Sequence, residues 1–271
     1  LNFTPSMVTT SDAGAGIGYT GFRIRGSDPQ RINVTVNGIP LNDSESHGTF
    51  WVNMPDFATS VENIAIQRGV GTSTNGAGAF GASVNLTTQQ PTGEAFAAYN
   101  GSYGSFNTVK NNVQFGTGLI NEKFSFTGRL SKITSDGFID KASVDLKSFY
   151  LSGSYKTKAG DFTANVFSGK EITFQAWNGV PQSELEAGNR TFNELAGYDN
   201  EVDNYQQDHY QLLYNKNINQ NWKVNAALHY TKGRVYFEQY RSGRKFADYG
   251  LADPILIDDN TGEPITRTDV I

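Results

Sequence analysis

The 271-residue sequence predicts a mainly β protein, in which a small mixed α/β domain is followed by antiparallel strands of a transmembrane β-barrel. Three observations lead to this fold class. Apolar and polar residues alternate over repeated segments, short and long connections alternate between those segments, and aromatic residues flank the short connections. Because the repeated alternation begins only after residue 93, we expect a small domain over residues 1–90 and barrel strands with their loops over residues 94–271.

Composition excludes several classes of function. The net charge of -5 disfavours a nucleic-acid partner, because binding to phosphate backbones requires a basic surface. The absence of cysteine excludes disulfides and thiolate metal sites, and the three histidines lie far apart along the sequence. No apolar run reaches the roughly 18 residues of a membrane-spanning helix. Barrel strands need only about 9–11 alternating residues, which agrees with a mean hydropathy of -0.46.

The segment from residue 222 to residue 231 shows the alternation of the second region. Trp222 and Val224 fall on one face of a strand, and Lys223 and Asn225 fall on the other. The same template fits further segments and predicts about seven strands. The apolar residues expected to face lipid include Phe162, Val166, Leu212, Val224 and Leu228.

The connections predict how these strands are arranged. Those at residues 117–122, 157–161 and 217–221 are short and polar, whereas those at residues 134–144 and 169–204 are long. An outer-membrane barrel has short turns on its periplasmic side and long loops outside. A soluble β-sandwich with an aromatic core is the alternative, but its strands usually have about five or six residues. The longer segments and their polar second face favour the barrel.

The first region shows different patterns. Residues 32–43 predict a strand, an Asn37-Gly38 turn and a short apolar segment, and residues 62–69 predict a second strand. Pro55 and Asp56 stand at the expected start of one short helix. The apolar core of this region is thin for an independently stable domain.

A glycine-rich stretch contains the spacing G-x-G-x-x-G at Gly76, Gly78 and Gly81. A dinucleotide fingerprint requires a hydrophobic strand before the glycines and a helix after them. Here residues 72–75 are polar, and residues 82–87 alternate as a strand does. We therefore interpret the glycines as positions of close backbone approach in a β-rich domain.

Four motifs in the first region resemble the plug domain of TonB-dependent outer-membrane receptors in their order and spacing. They are Ile24-Arg25-Gly26, the Val36–Pro40 hairpin, Ile66–Gly69, and Phe80-Gly81 through Leu86. The amino-acid sequence of this region, including residues 42–56, is most similar to that of receptors from Bacteroidetes-type bacteria. The resemblance covers about residues 1–90, and the later strands agree by pattern alone.

The resemblance implies a longer protein. Members of the family have a TonB box before this point and a barrel of 22 strands after it, and a signal peptide is expected upstream. About seven strands cannot close a barrel, and an open edge in lipid leaves backbone groups unpaired. The chain is therefore expected to be a fragment that lacks both ends, with Ile271 inside an extracellular loop.

The function implied by the resemblance is active uptake of a scarce ligand across the bacterial outer membrane, without enzyme chemistry and without a cofactor. The expected partners are the TonB complex, acting through an N-terminal segment absent here, outer-membrane lipid, and the ligand. A ferric siderophore is the favoured ligand, and haem, cobalamin and glycans stay open, as does the need for a partner lipoprotein. Alternative classes are an energy-independent barrel, either an adhesin or a diffusion channel, and a secreted glycan-binding sandwich.

The resemblance also indicates where ligand and barrel would be contacted. The apical plug loops are expected at residues 26–30 and 42–54, although turn-forming residues are equally typical of ordinary loops. Arg25 and Arg68 correspond to plug arginines that pair with barrel glutamates, and their partners are expected beyond residue 271. A metal site at His47 is not favoured, because a lone histidine is an incomplete ligand set. The candidate ligand contacts are Asp28, Asn42, Ser44, His47, Phe50 and Trp51.

Overall fold

The computed structural model describes residues 4–70, 80–90, 93–252, 255–257, 261–262 and 264–266. Their fold is mainly β, with a single five-residue α-helix in these ranges, α1 (Gln182–Glu186). The first strands are β1 (Met7–Ser11), β2 (Thr20–Ile24), β3 (Ile32–Val36), β4 (Ile39–Pro40), β5 (Val61–Arg68) and β6 (Ala82–Thr88). The later strands are β7 (Ala95–Gly104), β8 (Thr108–Thr117), β9 (Phe124–Ser135), β10 (Val144–Thr157), β11 (Gly160–Phe174), β12 (Val202–Asn217), β13 (Lys223–Phe237), β14 (Ile255–Ile257) and β15 (Pro264–Thr266).

The N-terminal part forms a four-stranded sheet in the order β4-β3-β6-β5, beside a separate hairpin of β1 and β2. Strands β3 and β6 are parallel, and the other pairs are antiparallel. The predicted turn is a tight hairpin in which Asn37 and Gly38 both have positive φ, 55° and 81°, as a type I′ turn requires. The buried core of this part includes Ile24, Ile32, Val34, Val36 and Val84.

The predicted short helix is a single 3-10 turn over Phe57–Ser60. Asp56 precedes it in a left-handed conformation, with φ at 55°, and its carboxylate does not cap the turn. Other 3-10 segments among the described residues are Pro29–Arg31, Trp51–Asn53 and Phe246–Tyr249. None of the helices in the described ranges is long and apolar enough to cross a membrane.

The glycine-rich stretch is described only from residue 80 onward, so Gly76 and Gly78 lie outside the described residues. Gly81 does allow a close backbone approach, because a Cβ there would lie 2.7 Å from the Arg31 carbonyl oxygen. Its amide also donates a hydrogen bond of 2.9 Å to that oxygen. The neighbour of Gly81 is therefore a segment of the same small domain and not a strand of the barrel sheet.

Strands β7 to β13 form one antiparallel sheet in sequence order. Directly opposed residues of antiparallel strands share a face. Phe162 opposes Tyr155 and Tyr214, and Val166 opposes Leu151 and Tyr210. The residues predicted to face lipid thus lie on one face of the sheet. This is the outer face; the opposite, inner face is packed against the small domain.

An aromatic band lies on the outer face beside the short connections. Phe124 stacks on Tyr155 with ring centroids 4.4 Å apart, and Phe162 contacts Tyr214 at 4.9 Å. Aromatic girdles of this kind mark the level at which a barrel leaves the apolar membrane core.

The inner face packs against the 3-10 segments of the small domain. Phe57 contacts Phe167 of β11 with ring centroids 4.9 Å apart. At Gly169 the approach is closer still, since a Cβ would lie 2.0 Å from the Asn53 carbonyl oxygen and 2.6 Å from Cδ of Pro55. Only glycine permits this backbone-to-backbone contact, which places residues 53–57 directly on the wall.

The assignment of faces predicts different costs for two leucines. Leu151 lies among the apolar rows of the outer face, whereas Leu213 faces inward and lines a cavity of about 720 Å³. In the full-length protein, Leu151→Lys should lower the free energy of unfolding in lipid vesicles by roughly 2–4 kcal/mol, because the charge enters the bilayer. Leu213→Lys should cost much less. Urea titration of both variants tests this, and equal losses would mean that the faces are wrongly assigned.

Candidate functional site

A cavity of about 740 Å³ lies between the loop after β4 and the inner face of β12 and β13. Its volume is within the range of pockets that hold small ligands, about 300–1,000 Å³. The small domain contributes polar and aromatic side chains, and the wall contributes inward-facing residues. The lining residues include Tyr19, Asn42, Asp43, Ser44, Glu45, Phe50, Asp203, Tyr205, His209 and His229.

The loop at the cavity is held by hydrogen bonds to its own backbone. The Asp43 carboxylate accepts from the backbone N–H groups of Glu45 at 3.0 Å and Ser46 at 2.7 Å, as in an Asx turn. These hydrogen bonds, with that from Ser46 the strongest, hold the pKa of Asp43 below its ordinary value. The Asn42 amide accepts from the Val34 N–H at 2.8 Å and donates to the Ile32 carbonyl at 2.9 Å. The loop is therefore ordered before any ligand arrives.

The structure brings three of the six candidate contacts to the cavity: Asn42, Ser44 and Phe50. Asn42 is mainly a brace of the loop, whereas Phe50 is 48% exposed and available for contact. The ligand roles of all six candidates stay predictions.

The other three candidates lie elsewhere. Asp28 forms an exposed ion pair with Arg23 at 2.5 Å. His47 occupies a left-handed turn position with φ at 58°, and its carbonyl accepts from Asn42. Trp51 is half-buried and packs on Phe22 with ring centroids 5.4 Å apart, so it belongs to the edge of the small domain's core.

Sequence reasoning missed the wall of the cavity. Tyr205, His209 and Asp203 come from β12 at alternate positions, which is the inward-facing set of that strand. The Tyr19 hydroxyl donates to the Asp203 carboxylate and joins the β1–β2 hairpin region to the wall. The alternation of inward and outward residues along β12 was the sequence signal for these wall residues, whereas the predicted contacts all lie in loops of the small domain. In the described part of the chain, no group of three or more His, Cys, Asp or Glu residues is arranged to hold a metal ion.

Beside the cavity, Asp56 anchors the small domain to the barrel wall. Its side chain is 4% exposed and accepts hydrogen bonds from side chains of two neighbouring wall strands. The donors are the Lys110 ammonium, the Asn112 amide at 2.6 Å and the Ser131 hydroxyl at 2.7 Å. We call Asp56 and its wall partners the Asp56 node.

Arg129 completes the Asp56 node. Its guanidinium is 2% exposed, lies 3.6 Å from the Asp56 carboxylate and donates to the Asp56 carbonyl oxygen. The Ser148 hydroxyl donates to the neighbouring Pro55 carbonyl at 2.6 Å. The node thus satisfies both the side chain and the backbone of this corner of the small domain.

The charges of the node determine its pH behaviour. Burial opposes ionisation of Asp56, but hydrogen bonds from Lys110, Thr59 and Ser131 outweigh it, so the pKa of Asp56 lies below its ordinary value. Asp56 is therefore ionised at neutral pH and supplies the counter-charge for Arg129.

Arg25 and Arg68 do not take part in this node. Arg68 donates to the Pro5 carbonyl at 3.2 Å near the surface, and Arg25 holds a left-handed position with φ at 52° next to Gly69. Pairing of these arginines with barrel glutamates stays a prediction. In the wall strands that the structure describes, the charges of the Asp56 node are arranged the other way round. The small domain contributes the carboxylate of Asp56, and the barrel sheet contributes the basic residues Lys110 and Arg129. A signal was present in the sequence, because the inward-facing Arg129 suits an acidic partner.

Residues 1–83 match the family model described as the TonB-dependent Receptor Plug Domain. The metal-pseudopaline receptor CntO of Pseudomonas aeruginosa is 28% identical to this chain over an alignment of 193 residues, and the alignment covers 68% of this chain and 26% of that receptor. The chain thus spans about a quarter of the length of the curated relatives it matches.

Solved structures of similar fold are outer-membrane receptors. The alcaligin receptor FauA of Bordetella pertussis has a TM-score of 0.65 at 18% identity, covering 87% of this chain and 36% of that one. The pyoverdine receptor FpvA of Pseudomonas aeruginosa PAO1 has a TM-score of 0.67 at 16% identity, covering 88% and 35%. The siderophore receptor PirA of Acinetobacter baumannii has a TM-score of 0.61 at 18% identity, covering 94% and 39%. At these identities the likeness concerns the fold.

A plug seated on the inner face of an antiparallel barrel sheet defines an outer-membrane receptor fold. Residues 1–83 thus match the plug domain of TonB-dependent receptors, and the chain is a protein of the bacterial outer membrane. Proteins similar to it are transport receptors.

The Asp56 node predicts how firmly the plug is seated. In the full-length receptor, Asp56→Asn should loosen the plug, because Arg129 would stay buried without a counter-charge, a change that costs about 3–5 kcal/mol in buried pairs. Dye leak through receptor-containing vesicles should rise at least several-fold. Asp43→Asn, which alters only hydrogen bonds within its own loop, is the matched control and should not leak.

The lowered pKa of Asp56 also predicts how the dye leak of the Asp56→Asn variant should differ from that of wild type as the pH changes. Because the folded pKa of Asp56 is lowered, its stabilisation is complete above the unfolded pKa of about 3.9 and is lost as pH falls through the folded pKa. The difference between wild type and Asp56→Asn should be constant from pH 8 to about pH 5 and shrink below about pH 4. A difference that grows on acidification would contradict the assigned role.

Phe50 and Trp51 should differ in what their removal changes. Phe50→Ala should weaken binding of a small ligand in the cavity by about tenfold, since it deletes an exposed aromatic contact, and leave stability unchanged. Trp51→Ala should instead lower the stability of the plug by about 2 kcal/mol, because it leaves a gap against Phe22. Equilibrium binding and thermal unfolding of both variants separate the two effects. Trp51→Phe should restore most of the stability.

Proposed function

We propose that this chain belongs to a receptor for TonB-dependent uptake of a scarce metal chelate, with a ferric siderophore as the favoured ligand. Residues 1–90 would act as the plug, and residues 94–271 as barrel strands and loops. The observation that carries the proposal is the cavity of about 740 Å³ beside a plug that is anchored in the lumen by Asp56. The match of residues 1–83 and the relatives named for metal-pseudopaline, alcaligin and pyoverdine support it.

The charge of the cavity favours one class of chelate. Asp43, Glu45 and Asp203 line it, and no lysine or arginine lies among its lining residues in the described chain. A polyanionic chelate would meet like charge there, whereas a neutral or cationic one would not. Tyr19, Phe50 and Tyr205 add aromatic surface for the organic part of the ligand. We therefore propose a neutral or cationic ferric complex, such as a hydroxamate, before a catecholate.

The remaining parts of the proposal follow the resemblance. The TonB complex would act through a segment N-terminal to this chain. Asp28 and His47 would reach the ligand from loops outside the cavity, and Arg25 and Arg68 would pair with later barrel strands. Kinship with Bacteroidetes-type receptors rests on residues 42–56 and stays our proposal, while both matched curated relatives come from Pseudomonas aeruginosa.

Uptake by cells that express the full-length receptor tests the proposal. Uptake of a radiolabelled ferric hydroxamate should be saturable and should stop when a protonophore collapses the proton-motive force or when TonB is deleted. Non-saturable uptake that persists without TonB would identify a diffusion channel. Surface binding without uptake would identify an adhesin.

Competition between chelates tests the charge argument separately. A neutral hydroxamate complex should compete at least tenfold better than a trianionic catecholate complex. Glu45→Gln should narrow this preference, and Glu122→Gln, in the exposed short turn between β8 and β9, should leave it unchanged. A preference for the catecholate would contradict the charge argument while leaving TonB-dependent uptake intact.

A further inference from the structure

Three lysines form a row across the outer face of the barrel sheet. Lys147 of β10 directly opposes Lys132 of β9 on one side and Lys170 of β11 on the other. All three point to the same side as Leu130 and Phe149, which precede or follow them by two residues on their strands. The row is therefore on the lipid side of the wall, away from the plug and the ligand cavity.

This row is only partly neutralised by the protein. Lys132 lies 3.5 Å from the Asp145 carboxylate, in a pair that is about half exposed. Lys147 and Lys170 are exposed, and neither makes an ion pair within the described part of the chain. Like charges directly opposite each other destabilise a sheet. An anion bound from outside would remove that cost.

A groove of about 490 Å³ lies directly against the row. Its apolar floor is formed by Val113, Leu130 and Phe149, and Lys132, Lys147 and Lys170 form its charged end. The groove therefore offers an apolar surface and a cationic end a few ångströms apart. This combination fits an amphipathic anion, whose chain lies on the floor and whose headgroup meets the ammonium groups.

The depth of the row matches the edge of a membrane. Lys147 is eight residues along β10 from Tyr155 in the aromatic band. At about 3.4 Å per residue and a strand tilt of roughly 35–45°, this separation is about 19–22 Å along the membrane normal. The apolar band of outer-membrane barrels is about 25 Å tall. The lysines thus stand at the level of lipid headgroups, on the side of the long loops.

We propose that the lysine row and its groove bind a phosphate-bearing lipid of the outer leaflet. An acyl chain packs over Val113, Leu130 and Phe149, and a headgroup phosphate is held between Lys147 and Lys170. Free phosphate shares the headgroup chemistry but has no chain for the apolar floor, so the lipid is the occupant that uses the whole groove.

Native mass spectrometry of the full-length receptor from vesicles tests this proposal. The vesicles contain phosphatidylcholine with or without one tenth lipid A. The receptor carrying Lys147→Gln and Lys170→Gln should retain about 25-fold less lipid A than wild type, since each basic residue near an anionic surface contributes about fivefold. Retention of phosphatidylcholine should change much less, because its phosphate is already neutralised by its own choline group.

A matched variant removes the same charge elsewhere. Lys158→Gln with Lys216→Gln lies at the opposite end of the sheet, beside the short turns, and should retain lipid A as wild type does. Excess inorganic phosphate should displace little lipid A from wild type. Equal retention by the two double variants, or complete displacement by free phosphate, would overturn the proposal.

Discussion

The buried carboxylate of Asp56 is the interaction on which the arrangement of this protein depends. It places one negative charge from the plug against Lys110 and Arg129 of the wall, and its backbone carbonyl is satisfied by the same arginine. Neither partner could stay buried at low cost without the other. The node therefore sets where the plug sits, and with it the floor and walls of the adjacent cavity.

One sheet serves two environments because side chains alternate along each strand. Inward positions of β12 meet the plug and the cavity, while outward positions form the aromatic band and the apolar rows. On β10 the outward position Lys147 follows the last apolar rows, and its inward neighbour Ser148 holds Pro55. Recognition of lipid and seating of the plug thus depend on adjacent residues, yet they are physically separated by the thickness of the sheet.

Much of this organisation follows from the sequence. The alternation around Val224 and Phe162 predicted the outer face, and the Asn37-Gly38 pair predicted the hairpin of the plug. The node was not predictable in this way, because Asp56 and Arg129 are distant in the chain and only the fold brings them together. Trp51 shows another limit of the sequence: an aromatic residue in a polar loop indicated ligand contact, which stays a prediction, but nothing in the sequence indicated that its ring packs on Phe22 at the plug core.

The contact at Gly169 has a mechanical consequence. There the Asn53 carbonyl oxygen and Cδ of Pro55 lie against the bare backbone of Gly169, with no charge on either side. Such a surface resists compression strongly but offers little resistance to separation. The tensile strength of the plug–wall joint therefore comes from directional contacts elsewhere: the Asp56 node, the Tyr19–Asp203 hydrogen bond and the Ser148–Pro55 hydrogen bond. A pull on the plug would load these separate contacts, whereas the contact at Gly169 would open without breaking a charge pair.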